Sequence, residues 1–585
     1  MYRPVLDAVA GSLTITALVA MLPLLTLFVL LGVLRLAAWK AALVSLAVSV
    51  VVALAAYSMP VVPALSAGLE GAAFGFFPIL WIVINAIWVY NMTVETGHFD
   101  VLRRSFAKVS DDQRIQAVII AFCFGALLEA LAGFGTPVAI TSVMLIALGF
   151  RPMKAAVVAL VANTAPVAFG ALAVPITTLA TVSGQPEKLL AQIVGRQTPL
   201  LGVFVPMALV FIIDRGKGVR ATLPATLTCG IAFAVAQFAT SNYLSTQLTD
   251  IVAALVGALS VVILLRVWQP ADTYVETETD EDALVGARRG RAASRGASGA
   301  TTARGEARHH RGAGHHHDEP VPSTTANDLA ARDAGKVDST GEVVKAYAPY
   351  LIIIALFIIA QLPGIKGALD APTRAFTWPG LDGLQTAAGK ESKLPIFKLN
   401  WLSAAGTLML VAGLLTIPAI GIAPAKALQA YRATYRQLAS AILTVMAVLG
   451  LAYVMNASGQ TATLGSWMAG AGAAFAILSP ILGWLGVAVT GSDTSSNSLF
   501  GALQVSAAKD VGLSPALMAA ANSSGGVLGK MISPQNLAIA AAAVGLSGRE
   551  GDLFRKVIGW SLGFLAFMCV IVFLQSTAVL GWMLP

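Results

Sequence analysis

Charge is what this sequence has least of. Only 12% of its 585 residues are Asp, Glu, Lys or Arg and 57% are apolar, against roughly 25% charged in an ordinary soluble domain. Soluble cores stop growing near roughly 250–300 residues, so no single core absorbs this much apolar side chain. Cysteine is scarce as well. Cys123, Cys229 and Cys569 lie far apart in apolar runs, which argues against a disulfide framework and a cysteine metal cluster. Histidine outside one short tract is limited to His98. There is no P-loop, no HExxH and no nucleophile motif beside a base, so ATP-driven transport and the common hydrolytic chemistries find no support. A cleavable signal peptide is not expected, because the first apolar run leads directly into more of the same.

The few charges are segregated. Glu70 is the one formally charged residue from Ala41 to Thr93, Glu129 from Gln116 to Phe150, and Asp493 from Leu451 to Ala508. About 20 apolar residues cross a hydrocarbon layer as a helix, so each stretch is long enough to span it. Apolar spans are expected near 12–34, 41–59, 71–92, 115–150, 154–182, 198–213, 221–240 and 246–266. More follow near 346–362, 400–417, 438–456, 463–489, 491–545 and 557–582. Continuous runs exclude a β-barrel, whose strands alternate in segments of about ten residues. The expected fold is an all-α polytopic membrane protein with about 12 or more transmembrane helices in two repeat halves. Re-entrant or broken helices should lie near the bilayer midplane.

The net charge of +8 is no sign of a nucleic-acid partner, since Lys and Arg gather at span ends, as at Arg103, Arg104 and Lys108. Basic short loops mark the cytoplasmic side, which here places 103–114, 215–220, 426–436 and 549–556 inside and both termini outside. Residues 1–268 form the expected N-terminal transmembrane half and 344–585 the C-terminal half. Between them, 269–343 reads as a disordered hydrophilic cytoplasmic linker, too poor in apolar residues to offset chain entropy. It holds His309, His310, His315, His316 and His317; a metal-binding tract is one reading and a solvated linker the plainer one.

The halves echo each other. Asn163, Gly170 and Pro175 have the spacing of Asn522, Gly529 and Pro534, and each Asn follows an isolated carboxylate, Glu129 or Asp493, by about thirty residues. Matched breaks in two apolar halves are the expected mark of a transporter built from repeats. Gly491-Ser-Asp-Thr-Ser-Ser-Asn-Ser498 puts seven polar side chains beside an apolar run, which is tolerated at membrane depth where it lines a polar cavity. Ser492, Thr494, Ser495, Ser496 and Asn497 at a helix start would bind a carboxylate; an extramembrane loop with an N-cap is the alternative. Asn522, Ser523 and Ser524 precede Gly525 and Gly526, glycines that would let the helix unwind, while Asn163 and Thr164 precede the breaker Pro166. Packing through small residues is the competing account of both segments.

Glu129 and Asp493 are candidate proton carriers, because an isolated intramembrane carboxylate must be neutral, paired or facing a cavity. Lys530, the sole charge between Val511 and Gly548, would attract a substrate carboxylate or compensate one of those acids. Glu70 and His98 are weaker candidates, lying near expected span ends. No metal or cofactor is called for beyond a coupling ion, H⁺ or, as the less favoured choice, Na⁺. Membrane lipids are expected neighbours, and the sequence carries no signal of oligomeric state.

Four motifs in order closely resemble bacterial L-lactate permeases: Glu129-Ala-Leu-Ala-Gly-Phe-Gly-Thr-Pro-Val-Ala-Ile140, Asn163-Thr-Ala-Pro-Val-Ala-Phe-Gly170, Gly491-Ser-Asp-Thr-Ser-Ser-Asn497, and 522–536. The resemblance covers essentially all the membrane-embedded chain. It implies import of L-lactate, with D-lactate and glycolate as further substrates, in symport with protons across the bacterial plasma membrane. It also implies kinship with inverted-repeat anion transporters. The insertion near 270–343 is longer than the family pattern. A sodium-coupled carrier of di- or tricarboxylates keeps the fold and changes the cargo. An intramembrane lipid-modifying enzyme using Glu129 and Asp493 would need a catalytic region that the sequence does not show, and a passive channel would lack coupling.

Overall fold

The computed structural model describes residues 2–585 apart from 277–337, Arg35, Lys108, Ala132, Phe134, Gln361, Ala388, Lys390 and Lys393. The clustered histidines, and the metal reading of them, lie outside the described residues. Among the described residues nine helices are long and apolar enough to cross a membrane, or ten if the bent pair Pro152–Ala162 and Val167–Ser183 counts as one span. Three shorter apolar helices, Thr136–Ala147, Thr249–Leu264 and Ala405–Ile420, accompany them. Two segments expected apart, 198–213 and 221–240, lie in one helical run, Glu187–Ala239, bent where Asp214 and Arg215 leave helical geometry.

Each half carries a pair of hairpins. In the first, α1 (Gln113–Leu131) turns through Gly133 and Gly135, both at positive φ, into α2 (Thr136–Ala147). Next come α3 (Pro152–Ala162) and α4 (Gly170–Ser183). In the second half α5 (Phe475–Thr490) turns at Gly491 into α6 (Asp493–Asp510). Then α7 (Pro515–Gly529) gives way to α8 (Pro534–Ala543). The halves interlock, α4 packing on α6 and α2 on α8.

The glycines of α7 do not unwind it. Helix α7 runs unbroken through Asn522 to Gly529, against expectation, because Gly525 and Gly529 are consumed by packing. A Cβ on Gly525 would strike Pro480 O, one on Gly529 would strike Trp484 O, and one on Gly483 would strike Asn522 O. Small residues let membrane helices approach backbone to backbone, and α5 and α7 do so. The break comes later, at Lys530–Ile532.

The linker expected over 269–343 is folded at both ends. Arg114, fully buried on α1, draws in Asp112 at 2.7 Å, Asp214 at 3.0 Å and Asp272 at 3.3 Å. Its guanidinium also donates to Asp272 O, and Gln113 N donates to Tyr274 O. Glu276 continues the strap, ion-paired to Lys154 at 2.7 Å and Arg151 at 3.2 Å. A buried guanidinium left unpaired is costly, so the acidic start of the linker folds onto it. At the far end Ser339 and Glu342 form a capping box: Ser339 N donates to Glu342 Oε2 (2.7 Å) and Glu342 N to Ser339 Oγ (3.3 Å). This starts the helix Thr340–Ala360 earlier than the boundary at 344. Two corrections complete the picture. A two-stranded antiparallel sheet, Arg374–Thr377 with Ile396–Leu399, decorates the otherwise helical fold. Glu70, expected at a solvated span end, is 1% exposed because its helix begins at Val61 and the apolar segment runs on to Glu95, bent where Phe77 leaves helical geometry.

Candidate functional site

Glu129 lies in the last turn of α1, two residues before its end at Leu131, where the chain must reverse. Its carboxylate is held by both halves: Lys530 Nζ donates to Oε1 at 2.6 Å and Asn163 Nδ2 to Oε2 at 3.0 Å. The ion-paired side chains are 8% and 4% exposed. Asn163 is available because α3 stops there. Pro166 lacks an N–H and disfavours helix at the residue before it. The corresponding position of the second half is Gly525, and there the helix continues. Beyond the break, Ala171, Leu172 and Ala173 take left-handed φ values of 44°, 58° and 61°, each costing about 1–2 kcal/mol in a non-glycine residue. This turn brings Gly170 so near that a Cβ on it would lie 2.7 Å from Glu129 Oε1.

Asp493 opens α6, with Ser492 as the N-cap whose Oγ accepts from Ser495 N at 3.3 Å. Its Oδ2 accepts from Ser523 Oγ at 2.6 Å and Asn497 Nδ2 at 3.2 Å. A ladder of amides supports it: Gln504 Nε2 donates to Asn522 Oδ1 (3.1 Å), and Asn522 Nδ2 to Asn497 Oδ1 (2.9 Å). Asn497 Nδ2 also donates to Pro175 O at 3.1 Å, tying the ladder to the first half. Asp493 Oδ1 has no hydrogen-bond partner and lies against Gly526, where a Cβ would strike it. Ser523 and Gly526 on α7 and Lys530, the residue that caps its C-terminus, follow at i, i+3 and i+7 and so fall on one side of the helix.

The expected residues therefore divide. Glu129, Asn163 and Lys530 form one cluster, and Asp493, Asn497, Asn522 and Ser523 the adjoining one. Thr164 is buried with its hydroxyl unpartnered. Ser496 instead donates to Gly483 O at 3.1 Å and Ser524 to Gln197 Oε1 at 2.6 Å, so both serve helix packing. Ser492 and Ser495 build the cap, and Thr494 is bonded through its carbonyl, which takes Ser498 Oγ at 2.7 Å. His98 pairs locally with Thr96 Oγ1 at 2.8 Å. Gln504 was overlooked, and so was Asp250, fully buried, whose Oδ1 accepts from Gln237 Nε2 at 2.9 Å while Oδ2 is unpartnered. The signal for Asp250 was present, a lone acid inside the apolar run 246–266. It needed the weighting given to Glu129.

Buried cation, buried acids and amides at the meeting of two broken-helix repeats can hold a small anion and one exchangeable proton. The family model described as L-lactate permease matches residues 16–303 and 314–579. The L-lactate permease of Bacillus subtilis (strain 168) is 39% identical over 99% of this chain and 98% of its own length. Glycolate permease GlcA of Escherichia coli (strain K12) is 40% identical over 99% and 98%. The solved YdaH transporter of Alcanivorax borkumensis aligns over 98% of this chain and 99% of its own at 14% identity and a TM-score of 0.37. On the family model and these full-length relatives, the chain is a multi-pass membrane transporter that belongs to the L-lactate permease family.

Proposed function

We propose that the protein imports L-lactate and glycolate across the bacterial plasma membrane in symport with protons, using Glu129 and Lys530 as the coupling pair. The relatives named for these substrates supply the cargo, and the buried Lys530–Glu129 contact at 2.6 Å supports the coupling. With Glu129 ionised, Lys530 is neutralised within the protein and holds no substrate. A proton on Glu129 leaves the ammonium without a counter-ion in a buried site, and the substrate carboxylate takes that place.

The charge count explains why the two move together. The empty site holds Glu129⁻ and Lys530⁺; the loaded site holds neutral Glu129, Lys530⁺ and the carboxylate. Both have the same net charge. Either ligand alone leaves one uncompensated buried charge, which is expensive. One proton therefore accompanies one monocarboxylate.

The test is uptake of labelled L-lactate into proteoliposomes under an imposed pH gradient, with and without sodium. Accumulation should collapse with a protonophore and ignore sodium. Glu129→Gln should lose gradient-driven accumulation and keep lactate exchange. Intact accumulation in that variant would overturn the role of Glu129, and sodium-dependent uptake would replace the proton as the coupling ion.

A further inference from the structure

Asp250 stands in the first turn of the helix Thr249–Leu264 and is fully buried. It forms no ion pair among the described residues, and a buried carboxyl without a cation is tolerated as the neutral acid. Its Oδ1 accepts from Gln237 Nε2 at 2.9 Å while Oδ2 has no partner, so one bond carries the polar role of the side chain. Gln237 divides its amide. Nε2 also donates to Ala165 O at 3.5 Å, and Oε1 accepts from Thr198 Oγ1 at 3.3 Å. Ala165 lies in the break between α3 and α4, two residues after Asn163 and next to Pro166. A broken helix leaves carbonyls without intrahelical donors, and Gln237 supplies one here. The helix of Asp250 also packs on α1. It runs antiparallel to α1, since Asp272 beyond its end meets Arg114 at the start of α1. A Cβ on Gly257 would lie 3.6 Å from Cys123 Sγ. From that contact Glu129 is six residues along α1 and Asp250 seven back along its own helix, so both stand roughly 10 Å toward the same end.

We propose that Asp250 is a positioning residue for transport: through Gln237 it fixes the turn after α3 and so holds Asn163 on Glu129. This rests on the transport reading above and adds the buried acid on which the placement of the coupling pair depends. Asn163 donates to Glu129 Oε2 at 3.0 Å from the end of a helix that stops at the break before Pro166. A helix end without further support frays, and its last side chain then samples several positions. The chain Asp250–Gln237–Ala165 removes that freedom. The helices Thr249–Leu264 and Glu187–Ala239 thereby act on the site through Ala165.

The experiment compares Asp250→Asn, Asp250→Ala and Gln237→Met with the wild type. Labelled L-lactate uptake under a pH gradient and lactate exchange are measured in proteoliposomes, and amide hydrogen exchange of 163–170 on the purified proteins. Asp250→Asn keeps the acceptor for Gln237 and matches the neutral acid in shape, so all three readouts should stay near wild type. Asp250→Ala removes the acceptor. It should slow uptake and exchange by about tenfold or more and raise hydrogen exchange at 163–170. Gln237→Met should do the same, and combining the two should add nothing further, because they act in one chain. Wild-type rates in Asp250→Ala overturn the proposal, as do losses that multiply in the double variant, or slowed transport with 163–170 still protected. Asp250→Asn that exchanges lactate but no longer accumulates it also overturns it, because Asp250 would then carry a proton itself. If Asp250→Ala does not fold, Asp250→Asn and Gln237→Met decide by the same readouts. A wild type that takes up no monocarboxylate removes the transport reading, whereas unchanged hydrogen exchange at 163–170 in Asp250→Ala and Gln237→Met removes only this proposal.

Discussion

Lys530 donates to Glu129 Oε1 across 2.6 Å, joining residues 401 positions apart and closing the two halves of the chain on each other. Its partner Asn163 adds a neutral donor to the same carboxylate at 3.0 Å. The pair is thus both a fastening and, on the reading above, the place where the proton enters.

A buried pair is costly to break from one side. Removing one partner leaves the other uncompensated, at about 3–5 kcal/mol, whereas removing both is far cheaper. Lys530→Met should lower the melting temperature of the purified protein in detergent, and adding Glu129→Gln to it should recover much of the loss. A double variant as unstable as Lys530→Met alone would show that the lysine stabilises through packing instead.

Arg114 makes the corresponding case at the strap. Its guanidinium has no exposure, and of its three acids Asp112 is 2%, Asp214 19% and Asp272 50% exposed by side chain. Arg114→Met should cost about 3–5 kcal/mol and raise hydrogen exchange across 269–276. Asp272→Asn, at the wet end, should change stability by about 1 kcal/mol or less. Equal effects from the two variants would mean that the strap, and not the buried charge, carries the stability.

Much of this was legible beforehand for a physical reason. In an apolar run a lone charge has few reasons to exist, which singled out Glu129, Asp493 and Lys530. The matched Asn–Gly–Pro spacings located the break after Asn163, whereas in the second half the helix runs on past Asn522 and Gly526 and breaks only at Lys530. Which acid Lys530 would meet was not legible, because that contact depends on how the halves interlock. The role of Gly525 and Gly526 was misread for a related reason. Glycine gives one signal for two opposite causes, a helix that unwinds and a helix approached at backbone distance, and only the neighbour at Pro480 decides. Thr494 and Ser496 looked like ligands because a dense polar run does not say which way each side chain turns. The small sheet at 374–399 lies between spans, where apolar pattern carries least information.

The packing account of those glycines is open to direct measurement. Gly525→Val would force a side chain into Pro480 O and should cost about 1–3 kcal/mol or more through overpacking. Gly559 in the helix Glu550–Gln575 meets nothing within 4 Å, so Gly559→Ala should stabilise by about 0.5–1 kcal/mol from helix propensity. Thermal unfolding of the two variants separates a glycine that is needed from one that is merely tolerated. Similar melting temperatures would contradict the close approach of α5 and α7.

The left-handed turn at Ala171–Ala173 gives the last prediction. Three consecutive non-glycine residues at φ 44°, 58° and 61° store strain where Gly170 meets Glu129 and where Pro175 O receives Asn497. Strain of this kind persists only where the surroundings impose it, and it is concentrated at functional sites. Ala173→Gly relieves part of the backbone cost, so the melting temperature should rise by an amount equivalent to about 1 kcal/mol. The same relaxation loosens the placement of Gly170 and Pro175, so the apparent affinity for lactate should fall. Ala173→Val, β-branched at a positive φ, should destabilise instead. If Ala173→Gly gains stability with no change in uptake, the turn is a leftover of chain connection; if it gains stability and loses affinity, the strain is part of how the site is held.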